Sequence, residues 1–273
     1  MSKVFLATLP KSGTHFLTRF FFHMGFKRLF LEDLGYRVLI QQALTGELNG
    51  DESIRLQESR NSVIRSAATL AENSYICQHY SYDAVLVSHL TDAGLAPIFL
   101  MRDPRDYVVS LTNHILKHGD HKHHQRFATM GSSDERYIAV IEGLPAEGDF
   151  PAVSPLTYTY GLMQGWLKDP EVLGVKFEQV IGPKGGGTLE QQQTTFGKIL
   201  EHINSPLRIG EIADYIDQSY DPQASMFNKG TLGQWQHEFS SQVEQVFYAQ
   251  AGDLLDAYGY LNADLSPLDA TRY

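Results

Sequence analysis

Residues 8–17 read TLPKSGTHFL, after the apolar run Val4-Phe5-Leu6-Ala7 and within reach of a second apolar stretch, Phe16 to Phe22. Strand, small-residue turn with a lysine, then helix is the unit from which parallel α/β sheets are built. A turn in that position aims backbone N–H groups and the positive end of the helix dipole at an anion. Lys11 adds a full charge, Ser12 and Thr14 add hydroxyl donors, and Gly13 permits close approach. The residues favour a phosphate cradle over the alternative, a plain helix start with Ser12 or Thr14 as N-cap. The turn is not a Walker A loop, which needs G-x-x-x-x-G-K-[ST]; here Lys11 precedes Gly13 by two positions.

The same alternation continues along the chain. Val4–Leu9, Tyr75–His79, Pro97–Arg102 and Val172–Phe177 are short, apolar and bounded by turn or polar residues, as strands are. Helical patterns lie between or beyond them over Thr14–Met24, Tyr82–Ala93, Pro104–Lys117 and Pro155–Lys168. This order predicts βαβ units and a parallel sheet. After Phe177 the pattern is mostly helical, over Leu189–Ile203, Ile209–Ile216 and Ser241–Tyr258. His118–Glu135 and Gly182–Thr188 read as loops. There is no internal repeat and no low-complexity linker, so one domain over residues 1–273 is expected.

At 273 residues the chain can bury a large core, and its 42% hydrophobic and 20% charged content are those of an ordinary globular protein. A net charge of -10 argues against a general nucleic-acid or anionic-membrane partner, though not against a local positive pocket. Cys77 is the single cysteine, so no intramolecular disulfide can form and a reducing cytoplasm is expected. The N-terminal apolar run is too short for a signal-peptide core. Thr18, Arg19 and His23 interrupt Phe16–Met24, which leaves no membrane span there.

Three further stretches join the first. Residues 98–114 read IFLMRDPRDYVVSLTNH, with Arg102 at a strand end and Ser110 eight residues on; 175–187 read VKFEQVIGPKGGG; 226–239 read MFNKGTLGQWQHEF. With PKSGTHF these blocks, in this order, resemble the sulfotransferase family that uses 3′-phosphoadenosine 5′-phosphosulfate (PAPS). The closing VEQVFYAQAGDLLDAYGYL is similar to that family's last helix. The Gly185–Gly187 run is more like its bacterial small-molecule members, which suggests a role in secondary (natural-product) metabolism. The resemblance implies an α/β fold, a central parallel sheet flanked by helices in a three-layer sandwich of the P-loop nucleotide-binding kind.

The resemblance also implies roles. Pro10, Lys11, Ser12, Gly13, Thr14 and His15 would cradle the 5′-phosphosulfate, with Lys11 at the oxygen bridging phosphorus and sulfur. Arg102 and Ser110 would bind the 3′-phosphate, and Lys229 and Gly230 would wrap it. Asn228 stands where the family usually has arginine. Phe16 replaces the family's tryptophan beside the adenine, and Tyr220 is a candidate for the other face. His79 would be the base that deprotonates the acceptor; Cys77 stands where the family often has a second lysine. His15, in the loop but facing its helix, and His89, on a surface helix, would serve as controls for His79.

Expected, then, is transfer of a sulfuryl group from PAPS to a hydroxyl or amino group of a small-molecule acceptor, without a metal. The His114–His124 run has no fixed tetrahedral spacing and reads as a mobile loop at the acceptor pocket. Segments 25–50, 80–83 and 118–165, with Tyr36, Tyr137, Phe150, Tyr158 and Tyr160, would build that pocket. Two alternatives stay open: a small-molecule kinase, which would need a carboxylate pair for Mg²⁺, and a nucleotide-binding module without catalysis. Acceptor identity and oligomeric state are not legible.

Overall fold

Val4 and Leu6 pack on one side of the first strand and Phe5, Ala7 and Leu9 on the other, all fully buried. That period-2 division of an unbroken apolar run is what a strand covered on both faces requires. The computed structural model describes residues 2–31, 50–223 and 230–261, with backbone only for 50–56. Five parallel strands form the sheet in the order β2-β3-β1-β4-β5: β1 Lys3–Thr8, β2 Lys27–Leu29, β3 Ser74–Gln78, β4 Leu95–Met101 and β5 Leu173–Lys176. Helices cover both faces, giving the expected three layers.

One apolar layer joins Phe16, Leu17, Phe20 and Phe21 of α1 (Thr14–His23) to Phe196 and Ile199 of helix Leu189–His202. The opposite layer takes Val63 and Ala67 from α2 (Gly50–Thr69) and Leu86 and Leu90 from α3 (Ala84–Asp92). It also takes Val108, Val109 and Ile115 from α4 (Pro104–Lys117). Trp166 is fully buried there and stacks on Phe5 at 5.8 Å. Gly165 beside it has no room for a side chain, because a Cβ would lie 2.0 Å from the Tyr82 ring.

Several expectations need correction. β2 was not foreseen: it is three exposed residues held by pairing with β3. α2 was missed because its buried stripe includes Ser59 beside Val63 and Ala67, a weak apolar signal. The segment 118–135 is not all loop. It contains helix His124–Ala128 and the start of helix Ser133–Glu142, whose cap Ser132 accepts from the Glu135 N–H at 3.2 Å. Buried Phe127 and an Arg126 bond to the Pro145 carbonyl at 2.7 Å anchor it. Pro155–Lys168 is two helices, Leu156–Gly161 and Gly165–Lys168, and Ser241–Tyr258 is interrupted at Gly252. No helix among the described residues is long and apolar enough to cross a membrane.

Candidate active site

The turn after β1 is shaped by its own hydroxyls. Ser12 is fully buried, and its Oγ donates to the Leu9 carbonyl at 2.6 Å; Thr14 Oγ1 donates to Thr8 Oγ1 at 3.0 Å. Each hydroxyl has one proton, so in this arrangement neither is offered to an anion as the sequence suggested. Neither caps α1: the N-cap is Gly13, in left-handed backbone at φ 90, with no side-chain cap. The first N–H groups of a helix have no acceptor within it, and with no cap they are the donors the turn presents.

Gly13 is required twice over. Its φ favours glycine, and a Cβ would fall 2.2 Å from Phe177 Cδ2. The Phe177 ring continues to the other side, where the Arg102 guanidinium lies 4.9 Å from its centre. Lys11 also holds left-handed backbone, at φ 63, a strain of about 1–3 kcal/mol for a non-glycine residue. Its carbonyl accepts from Arg102 Nη1 at 3.4 Å.

Arg102, just past the end of β4, joins three elements. Nη1 reaches the first turn, Nη2 donates to the Thr231 carbonyl at 3.1 Å, and Asp106 one helical turn on pairs with it at 3.5 Å. Asp106 in turn accepts the N–H groups of Gly233 (2.9 Å) and Trp235 (3.2 Å). The sequence offered Asp103 and Asp106 as alternative ion-pair partners for Arg102; the structure pairs Arg102 with Asp106, whose hold on the 230–235 loop had no sequence signal. Gly185 supports the same loop: its carbonyl accepts from Leu232 at 3.0 Å, and a Cβ there would meet the Gly230 carbonyl at 2.6 Å. Ser110 is buried two turns along α4 from Asp103. Lys229 and Asn228 lie outside the described residues.

The positive charge is concentrated. Burial first, then Arg102 and Lys117, push the Lys11 ammonium down to about 8. Arg102 Nε is buried with no acceptor among the described residues, a cost of about 1–3 kcal/mol that an anion's oxygen would remove. These residues fit a bound phosphate. Phe16 and Tyr220 line one cleft of about 260 Å³ with Ile181, Lys184 and Gln192, so the two candidate adenine contacts do share a cavity.

Beyond β3, His79 Nδ1 lies 2.9 Å from the Thr8 carbonyl and 2.8 Å from Thr8 Oγ1. A carbonyl can only accept, so Nδ1 carries the proton and Nε2 the lone pair. Burial lowers the His79 pKa, the Thr8 carbonyl opposes that, and Arg28 and Lys11 reinforce it, so the ring is neutral near pH 7. The His15 side chain is largely exposed and not turned into its helix; partial desolvation, then the nearby Lys11, Arg28 and His79, lower its pKa, so it is no independent control for His79. Cys77 is buried in β3 on the α1 face.

The histidine run places His114 and His118 ring centres 4.3 Å apart, and burial, then Lys11, push His114 down to about 4. Among the described residues, no three His, Cys, Asp or Glu groups converge to hold a metal ion. Tyr160 and Tyr137 are both buried, Tyr160 donating to the Arg102 carbonyl and Tyr137 to Glu238. Tyr36 lies outside the described residues.

Comparison with known proteins identifies a family and a fold. The family model described as "Sulfotransferase domain" matches residues 1–209. Mouse sulfotransferase SULT7A1, crystallised with PAP, superposes with a TM-score of 0.60 at 14% identity, over 96% of this chain and 89% of its own. Retinol dehydratase with androsterone and PAP gives 0.57 at 14% identity, over 93% and 80%. Its complex with retinol and PAP gives 0.55 at 15%, over 93% and 81%. No curated protein sequence is detectably similar.

Proposed function

The chain belongs to the sulfotransferase family, and from that premise we propose that it moves a sulfuryl group from PAPS to a hydroxyl or amino group of a small-molecule acceptor. The observation that carries this reading is the convergence of the β1 turn, Arg102 and a neutral His79 at one edge of the sheet. Membership sets the kinase alternative aside. The acceptor is read as a small metabolite, of the sort made in bacterial secondary pathways, and the protein as a single cytoplasmic domain.

In this reading Arg102, Ser110, Lys229 and Gly230 hold the 3′-phosphate. Phe16 and Tyr220 flank the adenine, and the helix N-terminus holds the 5′-phosphosulfate. The acceptor oxygen forms a bond to sulfur as the sulfur–oxygen bond to the 5′-phosphate breaks. The acceptor's proton passes to His79 Nε2, and 3′-phosphoadenosine 5′-phosphate (PAP) leaves. Lys11 stabilises the charge that gathers on the departing oxygen, an interaction stronger in the transition state than before it. PAPS with a panel of acceptors, read by mass spectrometry for an added sulfuryl group, tests the proposal. Donor that binds but never turns over would favour the module without catalysis.

A further inference from the structure

The sheet order separates two groups of cations. Arg102 and the 230–235 loop lie on the β4 side of β1, and β3 and β2 lie on the other. On that other side stands Arg28, paired in register with Tyr75, at the edge of the sheet. Its Nη2 donates to the Cys77 carbonyl at 3.5 Å, two residues before His79, and its guanidinium sits 4.5 Å from the Phe30 ring centre. Arg28 and Phe30 are exposed, Phe30 at 75%. Among the described residues no carboxylate pairs with Arg28.

The donor does not account for this arginine, because the 3′-phosphate residues are across β1 from it. The charges that bear most strongly on His15, His79 and Lys11 are all positive, although the whole chain carries -10. A cationic acceptor approaching His79 from the β2 side meets repulsion, and an anionic one meets a guanidinium beside an exposed aromatic ring. Paired N–H donors on a flat cation suit a carboxylate.

Resting on the sulfotransferase reading, we propose that the acceptor is a hydroxylated aromatic acid, its hydroxyl directed to His79 and its carboxylate received by Arg28 beside Phe30. Arg28 is thereby a specificity-determining residue.

Three phenols matched in shape test it: 4-hydroxyphenylpropanoate, its neutral amide, and tyramine. Each is titrated into PAP-loaded protein by calorimetry and assayed with PAPS. The acid should exceed the amide in kcat/KM and in affinity by about fivefold, the order of an exposed ion pair, with tyramine weakest. Arg28→Gln should bring the acid-to-amide ratio close to one, and Arg28→Glu should favour tyramine; as Arg28 is exposed on an edge strand, a melting curve suffices to check folding. Equal or better use of the amide or tyramine overturns the proposal, as does a ratio that survives Arg28→Gln, or binding of none of the three to PAP-loaded protein. Failure to bind PAP at all would instead overturn the sulfotransferase reading.

Discussion

Thr8 and His79 are joined at two atoms: the imidazole Nδ1 lies within hydrogen-bond distance of both the carbonyl and the hydroxyl of one residue on the neighbouring strand. The register of β1 against β3 makes this possible, because Ala7 pairs with Gln78 and the next residue on each strand meets just beyond the ladder. His79→Ala should lower kcat by about 10²–10⁴-fold, the usual cost of losing a general base, with PAP affinity nearly unchanged. Thr8→Val keeps the carbonyl and with it the tautomer, so its kcat should fall by less than about tenfold. Near-normal turnover of His79→Ala with the native acceptor would make the histidine structural.

Arg102→Ala should weaken PAP binding by roughly tenfold or more, from the loss of a charge-assisted bond of about 1.5–3 kcal/mol. PAPS should also bind far more tightly than adenosine 5′-phosphosulfate. Equal affinities by calorimetry would remove the 3′-phosphate from this arginine.

Asp106→Asn tests a contact that the sequence did not reveal, the carboxylate's hold on the 230–235 loop. Asparagine keeps one acceptor where the carboxylate offers two N–H contacts and an ion pair. Breaking a buried pair costs about 3–5 kcal/mol, so the melting temperature should drop by several degrees and PAP affinity should fall. A variant with the stability and affinity of the parent would show that the 230–235 loop is held by other contacts.

The pH dependence has a definite sign. His79 must be neutral, and its pKa is lowered from 6.5, so kcat/KM should rise through a limb on the acid side of that value. Lys11 must be charged, and in the free protein its pKa is lowered to about 8, so kcat/KM should decline as pH rises through that region. Binding an anion restores the lysine's charge, and the alkaline limb should move upward in the kcat profile. A kcat/KM that is flat from pH 7 to 10 would contradict the role given to Lys11.

The first turn and its flanking elements were legible because strand and helix periods change over a few residues, from Val4 to Phe22. β2 was not, since Lys27–Leu29 buries nothing and exists only through its partner strand. Arg28 escaped notice for the same reason. Ser12 and Thr14 could be placed in the turn from the sequence, but the direction of a hydroxyl proton depends on Leu9 and Thr8, whose placement only the folded backbone decides. Asp106 looked like one of two candidate ion-pair partners; its real work is with amides more than a hundred residues away.

Arg102 grips backbone from both ends of the chain, the Lys11 carbonyl and the Thr231 carbonyl, and the second lies beyond the part matched by the sulfotransferase domain. Two distant segments thus share a single guanidinium as their meeting point. Any ligand that draws on that cation must do so with both segments in place, so its affinity includes the work of bringing them together. Linkage runs both ways: a change that loosens the 230–235 loop, however far from the donor in sequence, will be felt as weaker donor binding, and a saturating donor will raise the loop's resistance to proteolysis.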